Sequence, residues 1–384
     1  MGILFVITLS TKTHRMTLSR YLLPFLICCS FLNACSDTSN KVSEEQATAF
    51  SIVIENQVRD MKIDFLEKNI LMPVFLDRIY AAGDLKSSER MEAEMRKMLA
   101  ANNYEKNVYE LMAGSGSFKK VKQYQKEGNQ RIIYRINGSS GFTYIEVELA
   151  SEKENVGIAD IYLYNTGQNL SATVADLMKK FLSHEQSTIG DQLSARLSAI
   201  SQHLKNTNYE FAKAEFDRLP YDIRNNRLYE IQYLNIMSKI GGPPYLEYQQ
   251  KIETKYADDA GFQLMMIDVY LNQKKYDKAL ASINQIDSVI NKDPFLDYHR
   301  GLVSNMKADS EGAIKYFKQV IASEPTFPDP YPELVVCLAK KNDYPAAKQY
   351  LASYKKMRSA NKEVVQFIET SYPGLNQDED GDFR

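Results

Sequence analysis

Arg131, Arg135, Tyr144, Glu146, Glu148 and Asp160 can be brought onto one face of a stretch whose apolar residues alternate with a period of two. Two carboxyl groups on one face can do acid–base work, one holding a proton while the other accepts one. With arginines among them, the same residues also suit cross-strand ion pairs on a solvated face. No histidine or cysteine joins the set, so the ion-paired, solvated face is the reading adopted here. A polar pocket, giving a small-ligand-binding or weakly catalytic α+β domain, is the alternative.

Other chemistry is sparse. Beyond residue 35 the histidines are His184, His203 and His299, and none stands beside a cysteine at metal-ligand spacing. There is no Gly-x-Ser-x-Gly elbow, and Gly114-Ser115-Gly116 lacks the Gly-Lys-Ser/Thr and the preceding strand of a phosphate loop. Asp378, Glu379, Asp380 and Asp382 surround Gly381, but not at calcium-loop spacing, and residues 371–384 are expected to form an acidic, disordered tail. Cys337 sits in the apolar run 334–338 and is expected to be a buried structural thiol. The formal net charge is -2, which offers no global basic field for nucleic acid. No enzyme, cofactor or metal is expected.

The amino-terminal region carries an address. Arg20 precedes an apolar run, 21–32, that is too short for a membrane span of roughly 20 residues. It ends in Leu32-Asn33-Ala34-Cys35. This resembles the bacterial lipoprotein signal, in which a small residue precedes the cysteine to be acylated. The resemblance implies that residues 1–35 are a signal, with Met16 the better start, and that Cys35 is lipidated. Several acyl chains hold a soluble domain at a bilayer where one would be marginal. Ser36 rather than aspartate after the cysteine implies an outer-membrane address facing the periplasm, with residues 36–45 as a tether.

Two kinds of element follow. Apolar spacing of three and four predicts a helix over 44–68, a break at Pro73, a helix over 74–82 stopped by Gly83, and another from Ser88 towards residue 111. Met91, Met95 and Met98 form a stripe that reads as core filler. Strands are predicted over 131–136, 142–149 and 158–164, with 118–124 as a fourth at the edge. Ser171 is expected to cap a helix over 172–182. The order of elements over 46–186 looks like a small cystatin-like or nuclear-transport-factor-2-like α+β domain with an antiparallel sheet of three or four strands.

The remainder repeats. Ala279, Ala313 and Ala347 stand 34 residues apart, and Ile283, Phe317 and Leu351 keep step four residues later. Tyr276, Ser310 and Tyr344 also keep step, and Gly301 supplies the small residue of a first helix. This resembles the tetratricopeptide family, whose paired helices cross closely at small side chains. Tyr209, Ala212, Phe216 and Leu219 extend the pattern upstream, and a degenerate pair is split by Gly241-Gly242-Pro243-Pro244. About five helix pairs are expected over 190–370, with 362–371 closing the array. The fold class is mainly α: a helical superhelix preceded by the small α+β domain.

The resemblance implies a protein or peptide partner bound by the first helices. These would present Leu264, Asp268, Leu271, Asn272, Phe295, Tyr298, Leu302, Asn305, Val336, Ala339 and Lys340. Leu264 and Asp268 replace the lysine and asparagine by which some members grip a carboxylate tail.

Overall fold

A computed structural model describes residues 41–376 apart from 63, 90–91, 94, 97–103, 113–115, 139–140, 154 and 185–187. Cys35, the signal and residues 36–40 of the tether lie outside the described residues, as do Met91, Met98 and the acidic end of the tail.

Helix α1, Glu44–Arg59, opens with a capping box. The Ser43 hydroxyl accepts from the Gln46 amide, and the Gln46 side chain accepts from the Ser43 amide. It is shorter than its apolar stripe predicts. Met61 takes a left-handed conformation, and the chain turns so that Phe65 and Leu66 reach the core by a different route. The break expected at Pro73 falls just before it. The proline stands in the first turn of α2, Met72–Gly83, where a missing N–H costs nothing. A Cβ on Gly83 would lie 3.2 Å from the Ala175 side chain, so the glycine admits a close helix contact. Helix α3 is Tyr104–Leu111.

Four long antiparallel strands form a meander: β1 Ser117–Lys126, β2 Asn129–Gly138, β3 Gly141–Glu152 and β4 Asn155–Leu163. A two-residue fifth, β5 Gln168–Asn169, extends the expected sheet, whose order is β1-β2-β3-β4-β5. Glu127 and Gly128 at positive φ make the first turn, a two-residue hairpin signal not used in the sequence reading. Tyr134 faces Ile145 and Arg135 faces Tyr144 across β2 and β3. Helix α4, Leu170–His184, follows. Ser171 does not cap it as expected. Instead its amide and hydroxyl donate to the Asp160 carboxylate at 3.1 and 2.5 Å, so β4 supplies the cap.

One face of the sheet carries Ile132, Tyr134, Ile136, Ile145, Val147, Leu149, Ile158, Ile161 and Leu163. These pack with α1, α2 and α4 into the core of the α+β domain, where Met95 is also buried.

The array is a succession of helix pairs: α5 Thr188–Lys205 with α6 Tyr209–Asp217, then, after the single turn α7 Tyr221–Arg224, α8 Arg227–Ile240 with α9 Gly242–Lys255. Next come α10 Ala260–Asn272 with α11 Tyr276–Ile290, α12 Pro294–Met306 with α13 Ser310–Ser323, and α14 Pro330–Lys340 with α15 Tyr344–Lys355. Helix α16, Lys362–Ser371, closes it. The split in the degenerate pair is narrower than expected: only Gly241 lies between α8 and α9, and both prolines sit in the first turn of α9. The second helices of the last three pairs begin at the 34-residue phase of Tyr276, Ser310 and Tyr344. The turns before them share a left-handed residue at Lys274, Ala308 and Asn342, as does Thr207 upstream.

Ala279, Ala313 and Ala347 are fully buried at the crossings. Gly301 is required: a Cβ there would lie 2.5 Å from Phe317 Cε1. The array does not stop at residue 371. Pro373–Leu375 forms a short turn, Leu375 is buried, and Asn376 bonds the Glu369 carbonyl.

Candidate functional site: the repeat wall and the sheet docked on its rim

The second face of the sheet is not solvated. Ile133, Tyr144 and Tyr164 join Phe262, Met266 and Leu296 of the array in one apolar cluster. The polar residues of that face are buried with them: Arg135 is 1% exposed, Glu146 7%, Glu148 6% and Asp160 3%. The ion pairs expected there do form. Arg131 spans both glutamates, at 2.8 Å to Glu146 and 2.6 Å to Glu148. Arg78 and Asn129 add bonds to Glu148. What differs is the environment: array residues rather than water cover Ile133, Tyr144 and Tyr164, while Glu146, Glu148 and Asp160 are bonded within the α+β domain by Arg131, Arg78, Asn129 and Ser171.

Docking uses the repeat itself. Asp259 and Asp293 occupy equivalent cap positions 34 residues apart. Asp259 accepts from the Phe262 amide to start α10, and also from Arg227 at 2.6 Å and the Tyr162 hydroxyl at 3.1 Å. Asp293 accepts from the Phe295 amide to start α12, and also from Arg135 at 2.6 Å. The other arm of Arg135 reaches Glu324 at 2.9 Å, and its plane lies 3.8 Å over the Phe295 ring. Lys119 adds a bond to Glu324 at 2.7 Å, and Lys122 donates to the Val289 carbonyl. Gly261 makes the approach possible, since a Cβ there would lie 2.4 Å from the Tyr164 carbonyl oxygen.

These contacts set the electrostatics. Burial holds the Asp293 carboxyl above its usual range, and Arg135 offsets this only in part. Burial also acts on Glu324, but bonds from Lys119 and Arg135 outweigh it and bring the carboxyl below its usual range. Burial raises Asp160 despite its bonds from Ser171 and Ile161. Tyr144 is raised by burial and then by the Asp293 charge.

The expected groove residues divide. Phe295 is covered, its ring stacked on Phe327 at 4.1 Å and edge-on to Phe142 at 5.5 Å. Leu271 and Ala339 are buried inside the array, so they pack between helices instead of facing a partner. Asp268, Asn272 and Lys340 are exposed. Leu264, Leu302 and Val336 are half-buried. Tyr298 is half-buried between Phe317 and Phe327. Asn305 Nδ2 stands 3.4 Å from Glu333, and His299 Nε2 lies 3.7 Å from Asp268. The structure thus brings together Asp268, Tyr298 and Asn305 on a wall where Leu302 and Val336 supply apolar surface.

Cys337 is buried, and burial pushes its thiol up to about 11. Among the described residues no group of three or more histidine, cysteine, aspartate or glutamate side chains could hold a metal ion. No helix among them is long and apolar enough to cross a membrane.

No protein-family profile matches the chain, and no curated protein does. Some solved structures are similar to about half of the chain. MamA from Desulfovibrio magneticus RS-1 is 16% identical, with 47% of this chain covering 97% of that one at a TM-score of 0.37. Pseudomonas aeruginosa pilF is 16% identical over 47% of this chain and 87% of that one, with a TM-score of 0.36. The TPR2AB domain of yeast Sti1, in its complex with pHSP90, is 13% identical over 54% of this chain and 84% of that one, with a TM-score of 0.27. The array assignment rests on the 34-residue phase and on the crossings at Ala279, Gly301, Ala313 and Ala347, which give this chain a tetratricopeptide-like carboxy-terminal array behind a small α+β domain.

Proposed function

We propose that the chain is a scaffold that binds a protein or peptide partner on the open wall of its repeat array, held at a membrane through acyl chains on Cys35. One observation carries the binding half. The sheet takes the rim, where α10 and α12 begin, and leaves Asp268 and Asn272 exposed further along α10 and Lys340 exposed on α14. A wall that kept its solvent-facing residues while its rim was braced is suited to rigid-body recognition. The sequence around Cys35 supports the anchor, and Ser36 supports an outer membrane facing the periplasm.

The pocket alternative for the α+β domain loses its residues to other work. Glu146 is paired with Arg131, Asp160 is bonded to Ser171, and Tyr144 packs edge-on to Phe142 and Tyr164.

Affinity capture of the full chain from membranes, with partners identified by mass spectrometry, tests the binding half. A partner that is retained by wild type and lost from Asn272→Trp supports it; equal recovery on both counts against it. For the anchor, Cys35→Ala is expected to move the chain from the membrane to the soluble fraction. Retention in the membrane overturns that part.

A further inference from the structure

The array departs from its repeat between the first two helix pairs. Residues 218–226 join α6 to α8 and include the single turn α7, whereas residues 291–293 alone join α11 to α12. The insertion walls a cavity of about 130 Å³ that α6, α8 and α9 complete. Tyr221 and Arg224 stand three residues apart on α7, and both line it. Opposite them are Tyr233 of α8 and Tyr248 of α9, their rings edge to face at 4.8 Å. Phe216 of α6 backs Tyr233, also at 4.8 Å. Tyr221 is 72% exposed, so its ring is free to cover a group that enters.

Four charged side chains line the cavity, and the two acids are already neutralised. Asp217 accepts from Lys213 at 2.7 Å and from the Tyr233 hydroxyl at 2.8 Å. Glu230 is buried and accepts from Lys255 at 2.8 and 2.7 Å and from the Tyr256 hydroxyl at 2.5 Å. The two cations are left over. Among the described residues the Arg224 side chain has neither an ion pair nor a hydrogen bond, and Lys251 has only the Tyr248 ring, 5.7 Å from its Nζ. By contrast Arg196, Arg227 and Arg300 of the array are each held by a carboxylate. The cavity therefore joins aromatic walls to two positive charges that no acid answers.

Independently of the wall and of Cys35, we propose that this cavity binds a carboxylate carried on an aromatic ring, either a free aromatic acid or an aromatic residue at the carboxyl end of a peptide. The ring would lie between Tyr221 and Tyr248, where offset and edge contacts are favourable. The carboxylate would take Arg224 and Lys251, the guanidinium offering it two parallel N–H donors. The volume sets the size of the group. It falls below the roughly 300–1,000 Å³ of a full small-molecule site and suits a group no larger than one side chain. A bare anion would leave the tyrosine rings uncovered, and a cation would meet Arg224 and Lys251.

The test is saturation-transfer difference NMR on the full-length chain with four probes: phenylacetate, its neutral isostere phenylacetamide, acetate and the peptide Gly-Gly-Phe. Phenylacetate is expected to bind at roughly millimolar affinity, as suits so few atoms, and more tightly than phenylacetamide or acetate. Added salt should weaken it by screening the charges. Tyr221, Arg224 and Lys251 are all exposed, so replacing them spares the core. Arg224→Gln and Lys251→Gln should each weaken phenylacetate about two- to fivefold, the worth of a half-exposed ion pair. Tyr221→Ala should weaken it by a similar factor, and Tyr221→Phe should restore it. Tighter binding of Gly-Gly-Phe than of phenylacetate supports the proposal with a peptide end as ligand, and the reverse supports it with a free acid. Equal binding of phenylacetamide or acetate overturns the proposal. So does wild-type affinity in the three variants, or no saturation transfer to phenylacetate well above millimolar concentration.

Discussion

Arg135 ties the two parts of the molecule together, and its removal should be costly. The guanidinium is fully buried, bridges Asp293 and Glu324, and stacks on Phe295. In Arg135→Met the aliphatic stem is kept and the charge is lost. Glu324 retains Lys119, so most of the penalty falls on Asp293, whose side chain is buried and already held up by burial. Stranding one member of a buried pair costs about 3–5 kcal/mol. Asn is also a good helix cap, so Asp293→Asn in the same chain removes the stranded charge while keeping α12 started. The double variant should therefore be more stable than Arg135→Met alone, by about 1–3 kcal/mol, the usual desolvation penalty of an unsatisfied buried group. Urea unfolding followed by far-ultraviolet circular dichroism gives all four corners of the cycle, which suits a chain without tryptophan. A loss below about 1 kcal/mol for Arg135→Met, in the range of an exposed ion pair, would refute the argument. So would strict additivity, because it would mean that Arg135 and Asp293 do not act on each other.

Gly301→Ala should destabilise by about 1–3 kcal/mol, since the new methyl meets the immovable Phe317 ring. Adding Phe317→Leu should restore part of that loss, and thermal unfolding reads both. Asp160 gives a pH signature. Its folded-state carboxyl is raised, so its contribution favours the fold at acid pH and declines as pH rises from the unfolded value of about 4 through the folded one. The stability of Asp160→Asn relative to wild type, from urea midpoints at a series of pH values, should therefore climb towards neutral pH; a flat difference would contradict the burial argument.

Much of the array was legible because its signal is local and repeated. Ala279, Ala313 and Ala347 mark helix crossings, and a crossing tolerates only small side chains. The turns between paired helices left no such mark, since Lys274, Ala308 and Asn342 take left-handed backbone without glycine. The strands were legible from alternation, but their surroundings were not. Ion pairs such as Arg131 with Glu146 follow from register alone, whereas Arg135 with Asp293 joins residues 158 apart in sequence. One clue was present. Ile132, Ile133 and Tyr134 run consecutively, and Tyr144, Tyr162 and Tyr164 occupy the supposedly wet face. Apolar character on both faces marks a strand covered on both sides. The second clue is the aspartate pair 259 and 293, whose spacing matches the repeat and whose caps double as docking points. For the wall, Asp268, Asn272 and Lys340 are exposed at their repeat positions, while Leu271 and Ala339 are buried because a first helix in this array packs on more than one side.

The central claim is that the wall left open by the sheet is where a partner binds. The most direct measurement places a photo-crosslinking residue at Asn272, and separately at Lys318, an exposed position on the second helix α13. Crosslinking is then triggered in intact cells and the products are identified by mass spectrometry. The account predicts a discrete protein adduct from Asn272 and none from Lys318. Adducts of the same protein from Lys318 but not from Asn272 would place the partner on the other side of the array and contradict it.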